Sequence, residues 1–160
     1  MKIFLGDLVH TWTKSGIWTI PINIGYVASY AAKYLKKVGI NCDFKIFKDS
    51  IKMMDAIKKE KPDVVGLSYY VWNMNLNRRV LDIVRKYVPN CLTIGGGPYF
   101  TNHNANEKGA RQFFSTHYNC DAYIVNQGEK GFLELIKRFN EVSYDLNKFR
   151  SITVKGSLIN

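Results

Sequence analysis

The sequence predicts an α/β domain built on a five-stranded parallel sheet with helices against its faces. Short apolar runs rich in β-branched residues alternate along the chain with longer stretches whose apolar residues recur every three or four positions. The run DVVGLS at residues 63–68 is apolar without alternation, as a strand buried on both faces requires. With 160 residues, 46% of them hydrophobic, the chain is long enough for one domain with its own core.

The elements follow in order. KIFLGDL reads as the first strand. Asn23 is placed to cap a helix whose apolar positions Ile24, Val27, Ala28, Ala31, Leu35 and Val38 form one face, with Gly39 just past its end. CDFKIF is the second strand. Asp49 or Ser50 opens a second helix with Ile51, Met54 and Ile57 inward, stopped before Pro62. After DVVGLS, the positions Leu76, Val80, Ile83, Val84 and Tyr87 define a third helix, closed by Pro89. CLTIGGG is the fourth strand. Residues 98–120 form a polar connection with a short helix near 110–114. AYIV is the fifth strand, and GEKGFLELIKRF a helix with Phe132, Leu135, Ile136 and Phe139 inward. SITVKGSLIN reads as a short C-terminal β-hairpin turning at Lys155-Gly156. The α/β domain is thus expected over residues 1–140 and a C-terminal extension over 141–160. The order fits a flavodoxin-like, Rossmann-like sheet arranged 2-1-3-4-5.

Composition narrows the function classes. The formal net charge is +10. The basic residues, among them Lys33, Lys36, Lys37, Lys58, Lys59, Arg78, Arg79 and Arg85, are spread over several predicted helices, so no nucleic-acid partner is expected. No apolar run approaches the roughly 20 residues that span a bilayer, and MKIFLGDLVH is interrupted too soon for a signal peptide. The expectation is a cytoplasmic protein with no membrane partner. Cys42, Cys91 and Cys120 are far apart and form no C-x-x-C pair, so neither a disulfide framework nor a zinc or iron–sulfur site is indicated.

Ligands of open parallel sheets bind beyond the carboxyl ends of the strands, at the topological switch point. The loops at that edge are residues 7–22, 68–75, 95–101 and 126–130. Gly95, Gly96 and Gly97 end the fourth strand without side chains, which favours close approach by a flat or bulky ligand. Ser68 ends the third strand, with a hydroxyl for a ligand nitrogen or a backbone group. Tyr69, Tyr70 and Trp72 follow and can line a large apolar ligand or be covered by another segment. A dinucleotide fingerprint would place G-x-G-x-x-G on the first strand–helix turn, where it is absent.

Together, VVGLSYYVWN, IGGGPYF, NQGEKGF and the first-helix run IPINIGYVASYAAKYLKKVG resemble the cobalamin-binding domains at the N-terminus of radical S-adenosylmethionine enzymes, over about residues 1–140. By matching position, the resemblance implies that Ser68 and Gly95 to Gly97 line the dimethylbenzimidazole tail of cobalamin. Tyr69 lies at the same edge, Tyr70, Val71 and Trp72 near the corrin, and Gly128 with Glu129 near the ribose or amides of the tail. It implies a parent enzyme of the methyltransferase class, in which cobalt carries a methyl group from S-adenosylmethionine to a substrate radical. The S-adenosylmethionine and [4Fe–4S] sites would lie in a radical catalytic domain, the expected partner, since C-x-x-x-C-x-x-C is absent here. No catalytic residue is expected in this chain.

The wider cobalamin-binding family carries D-x-H-x-x-G in the first loop. Here Asp7-Leu8-Val9-His10 has one residue too many between Asp and His, and the next glycine is Gly16. His10 is therefore expected to leave cobalt alone, and cobalamin to bind base-off without a protein ligand to the metal. His103 and His117 carry no expected role. The alternative from a different class is a cofactor-free flavodoxin-like signalling or interaction domain; a receiver of that kind needs an acidic cluster after the first strand and an aspartate after the third, where this chain has Ser68.

Overall fold

A computed structural model describes residues 1–10, 20–100, 105–152 and 157–159. Its elements are β1 (Lys2–Val9), α1 (Ile22–Lys37), β2 (Asp43–Asp49), α2 (Ser50–Glu60), β3 (Val64–Ser68), α3 (Met74–Tyr87), β4 (Leu92–Gly96), α4 (Glu107–Thr116), β5 (Ala122–Ile124), α5 (Gly128–Glu141), α6 (Leu146–Ile152) and β6 (Ser157–Ile159). All strand pairs are parallel, in the order β2-β1-β3-β4-β5-β6. The expected 2-1-3-4-5 arrangement is present, and a sixth strand extends it. Among the described residues no helix is long and apolar enough to cross a membrane.

Strand alternation divides the core in two. Ile3, Leu5, Val64, Leu92, Ile94 and Ile124 pack beneath α1, α5 and α6. Phe4, Val65, Leu67 and Tyr123 point the other way, against α2, α3 and α4. β3 is buried along its whole length, which explains its lack of alternation. The inward face of α5 holds Phe132, Leu135, Ile136 and Phe139, as its spacing predicts.

Three helix details differ from the expectation. α1 begins one residue before Asn23, with Pro21 at the cap position and no side-chain cap; Asn23 is exposed in the first turn. In α2, Asp49 Oδ1 accepts hydrogen bonds from the Ile51 and Lys52 amides at 2.8 and 3.2 Å. In the helix that follows, Ser50, Met53 and Ile57 face inward while Ile51 is exposed. In α3 the buried positions are Asn77, Val80, Leu81 and Val84, and Tyr87 is exposed.

The C-terminal hairpin is corrected. Ile152 ends a helix, and Ser157–Ile159 pairs parallel with β5; the supposed turn Lys155-Gly156 lies outside the described residues. The competing signal was an amphipathic turn. Asp145 Oδ1 accepts from the Asn147 and Lys148 amides, starting α6, and Leu146 and Phe149 bury against the α5 side of the core. Arg150 then reaches the Asp121 carboxylate with Nε at 3.0 Å and Nη2 at 2.6 Å. Asp121, only 2% exposed, also accepts from the Thr93 amide and hydroxyl and pairs with Arg85. One buried carboxylate thereby ties α3, β4, β5 and α6 together.

Candidate functional site

At the carboxyl ends of the strands a cleft of about 410 Å³ opens between α1 and the start of α5. Register builds its floor. Leu5 lies beside Gly66, Ser68 beside Gly96, and Gly96 beside Ile124. Alternation turns Gly66, Ser68, Ile94, Gly96 and Ile124 to the same face of the sheet. The floor is apolar apart from Ser68, which is 7% exposed and whose hydroxyl makes no hydrogen bond among the described residues.

The three consecutive glycines serve three different purposes. A Cβ at Gly96 would point into the cleft, meeting only the Ile124 carbonyl oxygen at 3.9 Å. A Cβ at Gly95 would point to the other side and stand 2.7 Å from Tyr123 Cδ2, so this glycine makes room for an aromatic ring. Gly97 has φ +103°, and a Cβ there would crowd the Tyr69 backbone at 3.0 Å. Of the three, Gly96 alone leaves a cradle open.

The aromatic run after β3 is divided. Tyr69 follows Ser68 and so faces away from the cleft. It is fully buried, edge-on to Phe113 at 5.1 Å and to His117 at 5.4 Å, and burial pushes its phenol well above the ordinary value. Tyr70 lines the cleft; its hydroxyl accepts from Asn23 Nδ2 at 3.3 Å. Trp72 stacks on Tyr70, centroids 4.6 Å apart and 11° between planes. Val71 and Trp72 are exposed and stand outside the cleft lining. Gly128 and Glu129 open α5 at the cleft, and a Cβ on Gly128 would meet Val27 at 3.5 Å, an ordinary contact. The structure therefore brings together Ser68, Tyr70, Gly95, Gly96, Gly97, Gly128 and Glu129, Gly95 through backbone alone. It does not bring Tyr69, Val71 or Trp72 into the same cavity.

Two asparagines that sequence reasoning missed hold this edge in place. Asn73 is fully buried. Its Oδ1 accepts from the Tyr70 amide at 2.9 Å, and its Nδ2 donates to the carbonyls of Leu8 at 3.1 Å and Ser68 at 3.0 Å. Asn77 adds a second bond to the Ser68 carbonyl at 2.9 Å. Their four-residue spacing, from the cap position of α3 to its buried face, was the available signal. In the first loop, His10 Nε2 lies 3.0 Å from the Trp72 carbonyl, an acceptor, so that nitrogen carries the proton. Asp7 pairs with Lys48 at 3.1 Å. Gly16 and His103 lie outside the described residues; His117 is buried, its ring stacked on Phe113 at 4.4 Å.

The family model for the B12 binding domain matches residues 15–136. This chain belongs to the B12-binding domain family. The resemblance drawn from the four sequence motifs is thereby met. The B12-binding domain is 35% identical over 85 residues to the cobalamin-dependent radical SAM methyltransferase TokK of Streptomyces tokunonensis, a match covering 53% of this chain and 11% of that protein. It is 27% identical over 122 residues to the 2-(S-pantetheinyl)-carbapenam-3-carboxylate methyltransferase of Streptantibioticus cattleyicolor, covering 73% of this chain and 16% of that protein. The domain thus spans a small fraction of both relatives. Among solved structures, a cobalamin-binding protein from Desulfitobacterium hafniense DCB-2 shares the fold, with TM-score 0.57 at 16% identity over 86% of this chain and 58% of that one.

Proposed function

We propose that this domain binds cobalamin base-off, its nucleotide tail inserted in the cleft between α1, α5 and the sheet, as the cofactor-holding part of a cobalamin-dependent radical S-adenosylmethionine methyltransferase. The observation that carries the reading is the open cradle at Gly96 beside Ser68, which lines the cleft with a hydroxyl that makes no hydrogen bond among the described residues. A glycine whose missing side chain faces an open cavity makes room for a ligand, and a hydroxyl on the cleft floor that no protein group engages is available to bond one. The residues present fit the group.

Each residue then has a task. Ser68 donates to the nitrogen of the benzimidazole, and Gly96 admits the ring. Leu5, Ile94, Ile124 and Phe132 exclude water around it. Tyr70, backed by the stacked Trp72, stands at the mouth towards the corrin. Glu129 and the Gly128 amide at the start of α5 face the ribose and amide groups. Asn73 fixes the turn that carries Tyr70. Bound cobalamin supplies the cobalt centre that carries a methyl group; the radical chemistry and its iron–sulfur cluster belong to a catalytic domain.

A base-off state without a histidine ligand is supported by the first loop. Asp7, the carboxylate that would orient a ligating histidine, is instead paired with Lys48. The test is titration of the purified chain with hydroxocobalamin, followed by reduction to cob(II)alamin and electron paramagnetic resonance. Binding with unsplit cobalt lines, unchanged in His10→Ala, is the expected result. Triplet splitting that vanishes in His10→Ala would make His10 the ligand, and absence of binding would overturn the assignment.

A further inference from the structure

We infer that the cleft selects among corrinoids by their lower base, taking a benzimidazole in preference to a purine. The inference rests on the proposed insertion of the tail and adds the class of cofactor that the cleft accepts. It follows from an inventory of polar groups. On the floor, Ser68 offers one hydroxyl among Leu5, Ile94, Ile124 and Phe132. The other polar side chains of the cleft stand towards solvent: Asn23 and Asn126 are exposed, and Tyr70 and Glu129 half-buried.

Three backbone acceptors at this edge are already engaged. The Ser68 carbonyl accepts from Asn73 and Asn77, the Gly96 carbonyl from the Tyr69 amide at 2.6 Å, and the Gly97 carbonyl from the Tyr123 hydroxyl at 2.8 Å. A benzimidazole joined to its ribose keeps one ring nitrogen, which the single hydroxyl satisfies; the rest of its surface is apolar. An adenine keeps three ring nitrogens and an exocyclic amine. Most of these would be desolvated on the floor without partners, and sites discriminate strongly against ligands that leave buried polar groups unpaired.

The experiment compares dissociation constants of the full chain for four corrinoids: cobalamin, an adeninyl cobamide, a p-cresolyl cobamide and cobinamide, which has no nucleotide tail. The adeninyl cobamide is expected to bind at least about tenfold more weakly than cobalamin. Equal affinity for these two, both tighter than cobinamide, would overturn the selectivity while leaving tail insertion intact. Cobinamide binding as tightly as cobalamin would instead overturn tail insertion. Ser68→Ala, a substitution that breaks no hydrogen bond among the described residues, supplies the second arm. It is expected to weaken cobalamin roughly tenfold and to leave the p-cresolyl cobamide unchanged, because a cresol ring has no nitrogen to lose a bond. Equal weakening of both corrinoids would remove Ser68 as the selecting group.

Discussion

Gly95 and Gly96 are adjacent, yet adding a side chain to each is expected to fail in different ways. At Gly95 a new Cβ stands 2.7 Å from Tyr123 Cδ2 and 3.2 Å from Tyr69 Cε2, and both rings are fully buried. Neither ring can swing aside, because Tyr123 also packs on Phe100 and Phe113, and Tyr69 on Phe113 and His117. Overpacking of this kind costs about 1–3 kcal/mol, which for a domain of this size lowers Tm by roughly 2–12 °C. At Gly96 the nearest atom is 3.9 Å away and φ lies outside the left-handed region, so Ala adds no clash and Tm should hold or rise slightly. Gly96→Val, however, fills the cradle. Thermal melts and cobalamin titrations of Gly95→Ala, Gly96→Ala and Gly96→Val separate the two effects. The expected outcome is loss of stability in the first, and in the last a native Tm with cobalamin binding weakened at least about tenfold. A Gly96→Val chain that binds like the parent would falsify the placement of the tail.

Further outcomes follow from the buried polar groups. Asp121→Ala strands Arg85 and Arg150 around an apolar gap and should cost about 3–5 kcal/mol in urea unfolding; Arg150→Ala should cost less and speed hydrogen exchange chiefly in α6. Burial, with Arg78 adding to it, holds the His117 imidazole below its ordinary value of 6.5. The folded state thus binds the proton less readily than the unfolded chain, so this group's stability contribution is complete above about pH 6.5 and declines as pH falls below it. His117→Gln should flatten that part of the stability–pH curve, and an unchanged slope would refute the assignment. Burial raises the thiols of Cys91 and Cys120 far above the ordinary range, and that of half-buried Cys42 less strongly. Thiol-reactive dye at pH 8 should therefore label Cys42 first and reach the other two only on unfolding.

The order of elements was legible because parallel strands buried on both faces and helices buried on one leave distinct periods in the sequence. The family was legible because short motifs recur at loop positions set by that order. Local competition escaped such reading. α2 buries Ser50 and Met53 where Ile51 and Met54 were expected, and Leu146 with Phe149 makes a helix where a hairpin was expected. The candidate site was legible as a set of loops, and its membership was not. Ser68, Tyr70 and Gly96 meet in one cleft, while Tyr69 faces the opposite core.

By itself the sequence determined which residues could form strands and helices, and which loops converge at the carboxyl edge of the sheet. Tertiary structure alone decided that one of three neighbouring glycines opens a cavity, one admits the Tyr123 ring and one permits a left-handed turn. It also decided that Asn73 joins the ends of β1 and β3. The physical reason is that side-chain direction in a strand depends on register against its neighbours. A shift of one residue exchanges the two faces of the sheet, and the sequence of a single strand does not state what lies across from it.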